Sequence, residues 1–258
     1  LMAGGKRLRP VLVLAGAESI GGSLQAALPA AIAVELVHTY SLIHDDLPAM
    51  DNDDFRRGKP TNHKVYGEAM AILAGDALLT HAFYTIVQSS KKFGLSAEQT
   101  LAIVEELSEF AGPRGMVGGQ AADILGVQGI TDGSRLEYIH KHKTGDMIVF
   151  SLRAGARTAG ANERQLDALT EFGYQIGLAF QIQDDLLDLT GDEQVLGKPT
   201  NSDVRCNKVT YPYLYGIDAS RNKIRELTDM GKAAVVRGGI PYPQRLLQIA
   251  DYLMNRDR

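Results

Sequence analysis

The sequence predicts an all-α protein, from the spacing of its apolar residues, the scarcity of alternating patterns and the short breaks between candidate helices. Apolar or small residues recur at helical intervals, as in Val34, Val37, Tyr40 and Ser41, or Leu101, Val104, Leu107 and Ser108, the spacing that lays one stripe against a core. Sustained period-two alternation, the mark of half-buried strands, is scarce. Short segments carrying Gly, Pro, Asn or Asp separate helices expected near residues 10–19, 26–47, 66–90, 97–111, 115–125, 134–159, 162–190, 207–236 and 243–256. The best turn clusters, Gly112-Pro113 and residues 238–243, read as loops within one bundle, so residues 1–258 are expected to form a single domain.

With 45% hydrophobic and 22% charged residues, the 258-residue chain can bury a sizeable core. Its net charge of -4 argues against a protein that neutralises a nucleic-acid backbone. The single Cys206 allows neither an internal disulfide nor a zinc-site spacing, which fits a reducing cytoplasm. Residues 26–43 are the most apolar stretch, but Pro29, Glu35 and His38 interrupt it and Asp45-Asp46 ends it, so a core helix is expected rather than a membrane span. The chain opens at Leu1 and enters a basic Gly-rich segment at once, with neither signal peptide nor starting Met, so a preceding helix is expected.

The second expected helix ends in His44-Asp45-Asp46-Leu47-Pro48-Ala49-Met50-Asp51, three acids after an apolar run. Burying them costs several kcal/mol unless a cation compensates. On an unbroken helix Asp45 and Asp51 stand about 240° apart. Pro48 must disturb the helix and can redirect Asp51 toward a shared ligand. In the helix expected over 162–190, Gln181-Ile182-Gln183-Asp184-Asp185-Leu186-Leu187-Asp188 puts Asp184 and Asp188 on one face. Hard oxygen ligands without His or Cys suit Mg²⁺, which keeps waters and bridges carboxylates to phosphates. A solvated helix end is the better reading of any one Asp-Asp pair, and two such runs flanked by apolar residues reverse that. An EF-hand from Asp51 fails, because Gly58 falls at loop position eight and Asn62 replaces the closing Glu.

Gly4-Gly5-Lys6-Arg7-Leu8-Arg9-Pro10 brings cations ahead of the first helix, and Arg56-Arg57-Gly58-Lys59 brings three more just after the first acid run. A solvated basic turn is an equal reading of the first segment alone; for Arg56 and Arg57, proximity to four acids favours phosphate binding. Neither Gly5-Lys6 nor Gly197-Lys198 meets the Walker pattern. His38 precedes Asp45 by seven residues, about 10 Å along nearly one helix face. His140 and His142 are two apart and diverge on a helix, so a solvated face is expected. Gly118-Gly119-Gln120 and Asp123 read as a close helix crossing.

These segments, together with His142-Lys143-Thr144-Gly145, Phe180 to Asp188, Asn207-Lys208 and Thr210-Tyr211-Pro212, closely resemble the trans-polyprenyl diphosphate synthase family, in family order over nearly the whole chain. The resemblance implies an all-α isoprenoid synthase fold around a deep cavity, a homodimer, and three Mg²⁺ ions held with an allylic diphosphate by Asp45, Asp51 and Asp184. Asp46, Asp185 and Asp188 would hold waters or outer contacts. It implies that Arg56, Lys143, Lys198 and Lys208 clamp the allylic diphosphate, and that Lys6, Arg9, His38 and Arg57 bind isopentenyl diphosphate. Thr144, Gln181 and the Lys143 carbonyl would stabilise the allylic cation. The implied reaction is ionisation, condensation and elimination, with the departing diphosphate taking the proton and no protein nucleophile.

Tyr40 lies five residues before Asp45, about 7–8 Å down the helix, where the growing chain descends in this family. An aromatic floor there implies a C15 product, farnesyl diphosphate, while the small Ser41 beside it leaves C20 as the alternative. A non-catalytic subunit would be expected to lose acids or arginines, and none is lost. A terpene cyclase would not need Lys6, Arg9 and His38.

Overall fold

The computed structural model describes residues 1–2, 4–127, 132–190 and 209–254, and these are almost wholly helical. Helix α1 (Leu8–Ile20) follows Arg7, whose backbone is left-handed at φ 52°. Ser23 opens α2 (Leu24–Asp45) by accepting the Ala26 N–H, the usual service of a serine at a helix start. Asp45 is its last residue, so the helix stops before Pro48, and the expected reach to residue 47 is two residues too long.

A two-residue hairpin, β1 (Phe55–Arg56) with β2 (Lys59–Pro60), follows and was not foreseen as strand. Its turn residues, Arg57 at φ 54° and Gly58 at φ 71°, both lie in the left-handed region that a tight hairpin demands. The helix expected over 66–90 is α4 (Glu68–Phe93), and an additional short helix, α3 (Asn62–Tyr66), precedes it, separated by Gly67 at φ 85°. A reciprocal Ser96–Gln99 capping box starts α5 (Ala97–Ala111). Next come α6 (Met116–Val127) and α7 (Gly133–Ile139). A π-helical turn (His140–Gly145) joins α7 to α8 (Asp146–Thr158), inside what periodicity reads as one continuous helix. The 28-residue α9 (Glu163–Thr190) is about 42 Å long. Beyond residue 208 come α10 (Tyr211–Tyr215), α11 (Ile217–Arg237) and α12 (Gln244–Met254).

Helices α1 and α8 pack on each other at the centre, each contributing to both large apolar clusters. Val13, Val34, Val37, Ile86, Leu107 and Phe150 join α1, α2, α4, α5 and α8 on one side. Leu12, Leu152, Leu166, Phe172, Val235 and Leu246 join α1, α8, α9, α11 and α12 on the other. Stacking apolar stripes in this way leaves the C-terminal end of α2, the start of α6 and the π-helical turn to surround the polar cleft described next. By length and composition α2 and α4 could each cross a membrane; most of the apolar window of α2 is buried in the core, as expected of it, while most of that of α4 is not.

Candidate active site

Two cavities adjoin at the C-terminal half of α2. The first, about 400 Å³, is lined by Tyr40, Ser41, Asp45, Gln120 and Lys143, with Met116, Val117 and Ile124 as apolar wall. The second, about 440 Å³, is lined by Lys6, Arg57 and Gln181 with Phe180 and Glu35. Arg9, His38 and Thr144 line both. A basic chamber and a mostly apolar chamber carrying an acid at its rim thus meet across three residues.

The acid rim is built by the way α2 ends. Beyond Asp45 the chain folds back so that the Asp51 N–H donates to the Asp45 carbonyl at 2.8 Å, and the N–H groups of Met50 and Asn52 donate to the Leu47 carbonyl at 2.9 and 3.1 Å. Asp51 is exposed on this loop. The Asp46 carboxylate is 3% exposed and accepts from Arg56 Nε at 2.7 Å; Arg56 also lies 3.6 Å from Asp53. Burial, with Asp51 and Asp46 adding to it and Lys143 and Arg56 opposing, pushes the Asp45 carboxyl up to about 6. A carboxylate so raised gains most from a nearby cation.

On α9, Asp184 lies beside Gln181, which donates to it at 3.4 Å, and its charge is felt by Arg9. Asp45 thus lines the first cavity, while Asp184 lines neither but stands next to them through Gln181, which lines the second cavity, and Arg9, which lines both. Asp185 turns to a structural task, accepting the Tyr211 N–H at 2.9 Å and so pinning α10 to α9. Asp188 is buried, 3% exposed, one turn beyond Asp184.

The basic chamber depresses its own titratable groups. Burial, partly offset by Glu35 and Asp184 and reinforced by Arg57, lowers Arg9 to about 10, and the buried Arg9 Nε has no hydrogen-bond partner. His38 is pushed down to about 2 by burial and then by Arg9, Arg57, Arg56 and Arg7. Burial also lowers Arg57, which donates to the Gly4 carbonyl. An orphaned guanidinium donor and a histidine held neutral by burial and by surrounding arginines make a chamber that needs anionic charge.

Across the cleft, the π-helical turn presents Lys143 and Thr144. Lys143 Nζ donates to Asp123 at 2.6 Å, and Gln120 Nε2 donates to Asp45 at 2.9 Å. These α6 partners escaped the sequence reading, which gave Gln120 and Asp123 only a packing role; their signal was the i,i+3 spacing after Gly119. The crossing itself is as read: a Cβ at residue 119 would stand 2.2 Å from the Lys143 N. His140 and His142 do not lie on a solvated face. His140 is 7% exposed, with burial lowering it to about 4, and lies 3.9 Å from Asp185 of α9, while His142 is held by Asp146 at 2.8 Å and rests against the Tyr138 ring.

Lys198, Lys208 and Asn207 lie outside the described residues. Among the described residues, no three acids or histidines converge closely enough to hold a metal ion by themselves. A single carboxylate at the cavity rim with others nearby, and no closed cage, fits a cation that keeps waters and shares phosphate oxygens, the habit of Mg²⁺.

A family model for polyprenyl synthetase matches residues 1–236. The chain belongs to the polyprenyl synthetase family. A relative described as farnesyl diphosphate synthase, from Geobacillus stearothermophilus, is 53% identical over 224 residues, covering 87% of this chain and 75% of that protein. A chloroplastic geranylgeranyl pyrophosphate synthase of Catharanthus roseus is 46% identical over 259 residues, 100% of this chain and 72% of that protein. Among solved structures, a geranyltransferase from Helicobacter pylori complexed with magnesium and isoprenyl diphosphate superposes with a TM-score of 0.84 at 34% identity, covering 98% of this chain and 84% of that one. The fold of this polyprenyl synthetase is the all-α isoprenoid synthase fold, as the motif resemblance implied.

Proposed function

We propose that the protein is a Mg²⁺-dependent trans-prenyltransferase that condenses isopentenyl diphosphate with dimethylallyl or geranyl diphosphate to give farnesyl diphosphate. The observation that carries this reading is the pair of cavities sharing Arg9, His38 and Thr144, one basic enough for a second diphosphate and one acid-rimmed with an apolar depth.

Asp45, Asp51 and Asp184 would hold Mg²⁺, three ions with the allylic diphosphate, and Asp46 and Asp188 would order the surrounding waters. Bound there, Mg²⁺ supplies charge stabilisation to the departing diphosphate. Lys143 and Arg56, joined by Lys198 and Lys208, clamp the same group, exchanging Asp123 and Asp46 for phosphate oxygens. Lys6, Arg9, His38 and Arg57 orient isopentenyl diphosphate so that its alkene faces the allylic carbon, converting an encounter in solution into an oriented one. The Thr144 hydroxyl, the Gln181 amide and the Lys143 carbonyl turn dipoles toward the allylic cation, worth most where water is excluded. The diphosphate released in the first step takes the proton in the last, so no side chain acts as general base.

Tyr40, 7% exposed and lining the apolar cavity, closes the depth available to the chain and supports a C15 product, as does the Geobacillus relative. The small Ser41 beside it and the Catharanthus relative favour C20 as the second reading. A second copy of the chain covers the outward apolar face of α4, where Met70, Leu73, Tyr84 and Val87 stand exposed, and the homodimer works in the cytoplasm as one domain per chain.

Incubation with isopentenyl diphosphate and either dimethylallyl or geranyl diphosphate, with and without excess chelator, tests the reading by chromatography of the dephosphorylated products. A Mg²⁺-dependent C15 alcohol is expected. Absence of any elongated product with either allylic starter would refute it.

A further inference from the structure

We propose that His44 is a positioning residue for product length: seated against α4 in the gap left by Gly75, it props the Tyr40 ring across the depth of the apolar cavity. The inference rests on the prenyltransferase reading above and adds to it the part that holds the floor in place.

Tyr40 and His44 are four residues apart on α2 and so share a face. Their ring centroids are 5.7 Å apart with planes at 78°, an edge-to-face contact, and both line the apolar cavity. The far edge of His44 is anchored: its Nε2 lies 3.1 Å from the Ile72 carbonyl oxygen of α4, which makes that nitrogen the donor. The anchor exists because residue 75 has no side chain. A Cβ there would stand 2.0 Å from His44 Nε2, 2.5 Å from Cδ2 and 2.7 Å from Cε1, inside the space the imidazole occupies.

The chain of contacts runs from α4 backbone to His44 to Tyr40 to the cavity, with Val117, Ala121 and Ile124 of α6 also lining the chamber. A tyrosine alone on a helix has more than one staggered position open to it. With His44 beside it on the same face, the alternative that would swing the ring aside and deepen the cavity is closed. Length selection therefore depends on a glycine in a helix that does not touch the substrate.

The test uses the full chain with isopentenyl and geranyl diphosphates and Mg²⁺, reading the C20 to C15 ratio of products. His44→Ala removes the prop, and Gly75→Ala displaces it while leaving His44 in the sequence. Each is expected to raise the ratio about tenfold, the scale of losing one aromatic pair contact. Because His44 acts through Tyr40, adding His44→Ala to Tyr40→Ala should lengthen the product no further than Tyr40→Ala alone. A wild-type ratio in Gly75→Ala overturns the proposal, and that variant decides even if His44→Ala does not accumulate. Further lengthening in the double variant also overturns it. Failure of the unmodified protein to elongate anything would instead sink the prenyltransferase reading.

Discussion

Replacing Gly119 by Ala is the sharpest probe of how the cleft is assembled. The new Cβ would lie 2.2 Å from Lys143 N, 2.7 Å from His142 C and 2.8 Å from Lys143 Cα, all backbone atoms that cannot swing aside. Ordinary contact begins near 3.4 Å, so α6 and the π-helical turn must separate by about 1 Å. Ala gains up to about 1 kcal/mol of helix propensity over Gly, but overpacking of this kind costs roughly 1–3 kcal/mol, and backbone against backbone belongs at the upper end. The net loss of about 2 kcal/mol lowers Tm by about 4–8 °C in a chain of this size. Activity suffers more. The same shift moves Gln120 from Asp45 and Asp123 from Lys143, pairs now at 2.9 and 2.6 Å, and a misplacement of about 1 Å in a positioned site costs about 10²-fold. Thermal unfolding measured beside steady-state kcat checks both. Wild-type turnover in a Gly119→Ala protein would refute the claim that the helix crossing sets the site.

Asp45→Asn keeps the shape of the rim and removes its charge; kcat should fall about 10²-fold or more, read from product formation across a Mg²⁺ titration. Arg9→Gln should raise KM for isopentenyl diphosphate about 10–100-fold with little change in KM for geranyl diphosphate, checked by varying each substrate separately. His140 is held at about 4 by burial against an unfolded value near 6.5. The unfolded chain therefore binds the extra proton first, and stability falls as pH drops from about 6.5 to about 4, by on the order of 3 kcal/mol. Urea unfolding at pH 7 and pH 5 should show that loss shrinking in His140→Gln; an undiminished loss would place it elsewhere.

Helix positions were legible because apolar stripes need only local spacing, and α5 and α9 fall almost where the pattern put them. The acid and basic segments were legible too, since charge beside apolar runs demands a partner. Lys6, Arg9, His38 and Arg57 do line one chamber, and Tyr40, Ser41, Asp45 and Lys143 another. What stayed hidden depends on contacts between distant segments. Periodicity cannot register one extra residue in a turn, so the π-helical turn at His140–Gly145 read as plain helix and its histidines as solvated. Nothing near Gln120 in sequence announces Asp45, seventy-five residues away. The Arg57-Gly58 hairpin hid because two paired residues per strand are too few for alternation to show.

The loop that closes α2 on itself behaves as a ring. Its clasp is main chain, from the Asp51 amide to the Asp45 carbonyl, so the distance between those two carboxylates is a matter of how many residues the ring holds. Ala49, exposed on it, can change identity without altering the gauge, whereas inserting or deleting one residue there would unfasten the clasp and leave both acids in place on paper and mismatched in space.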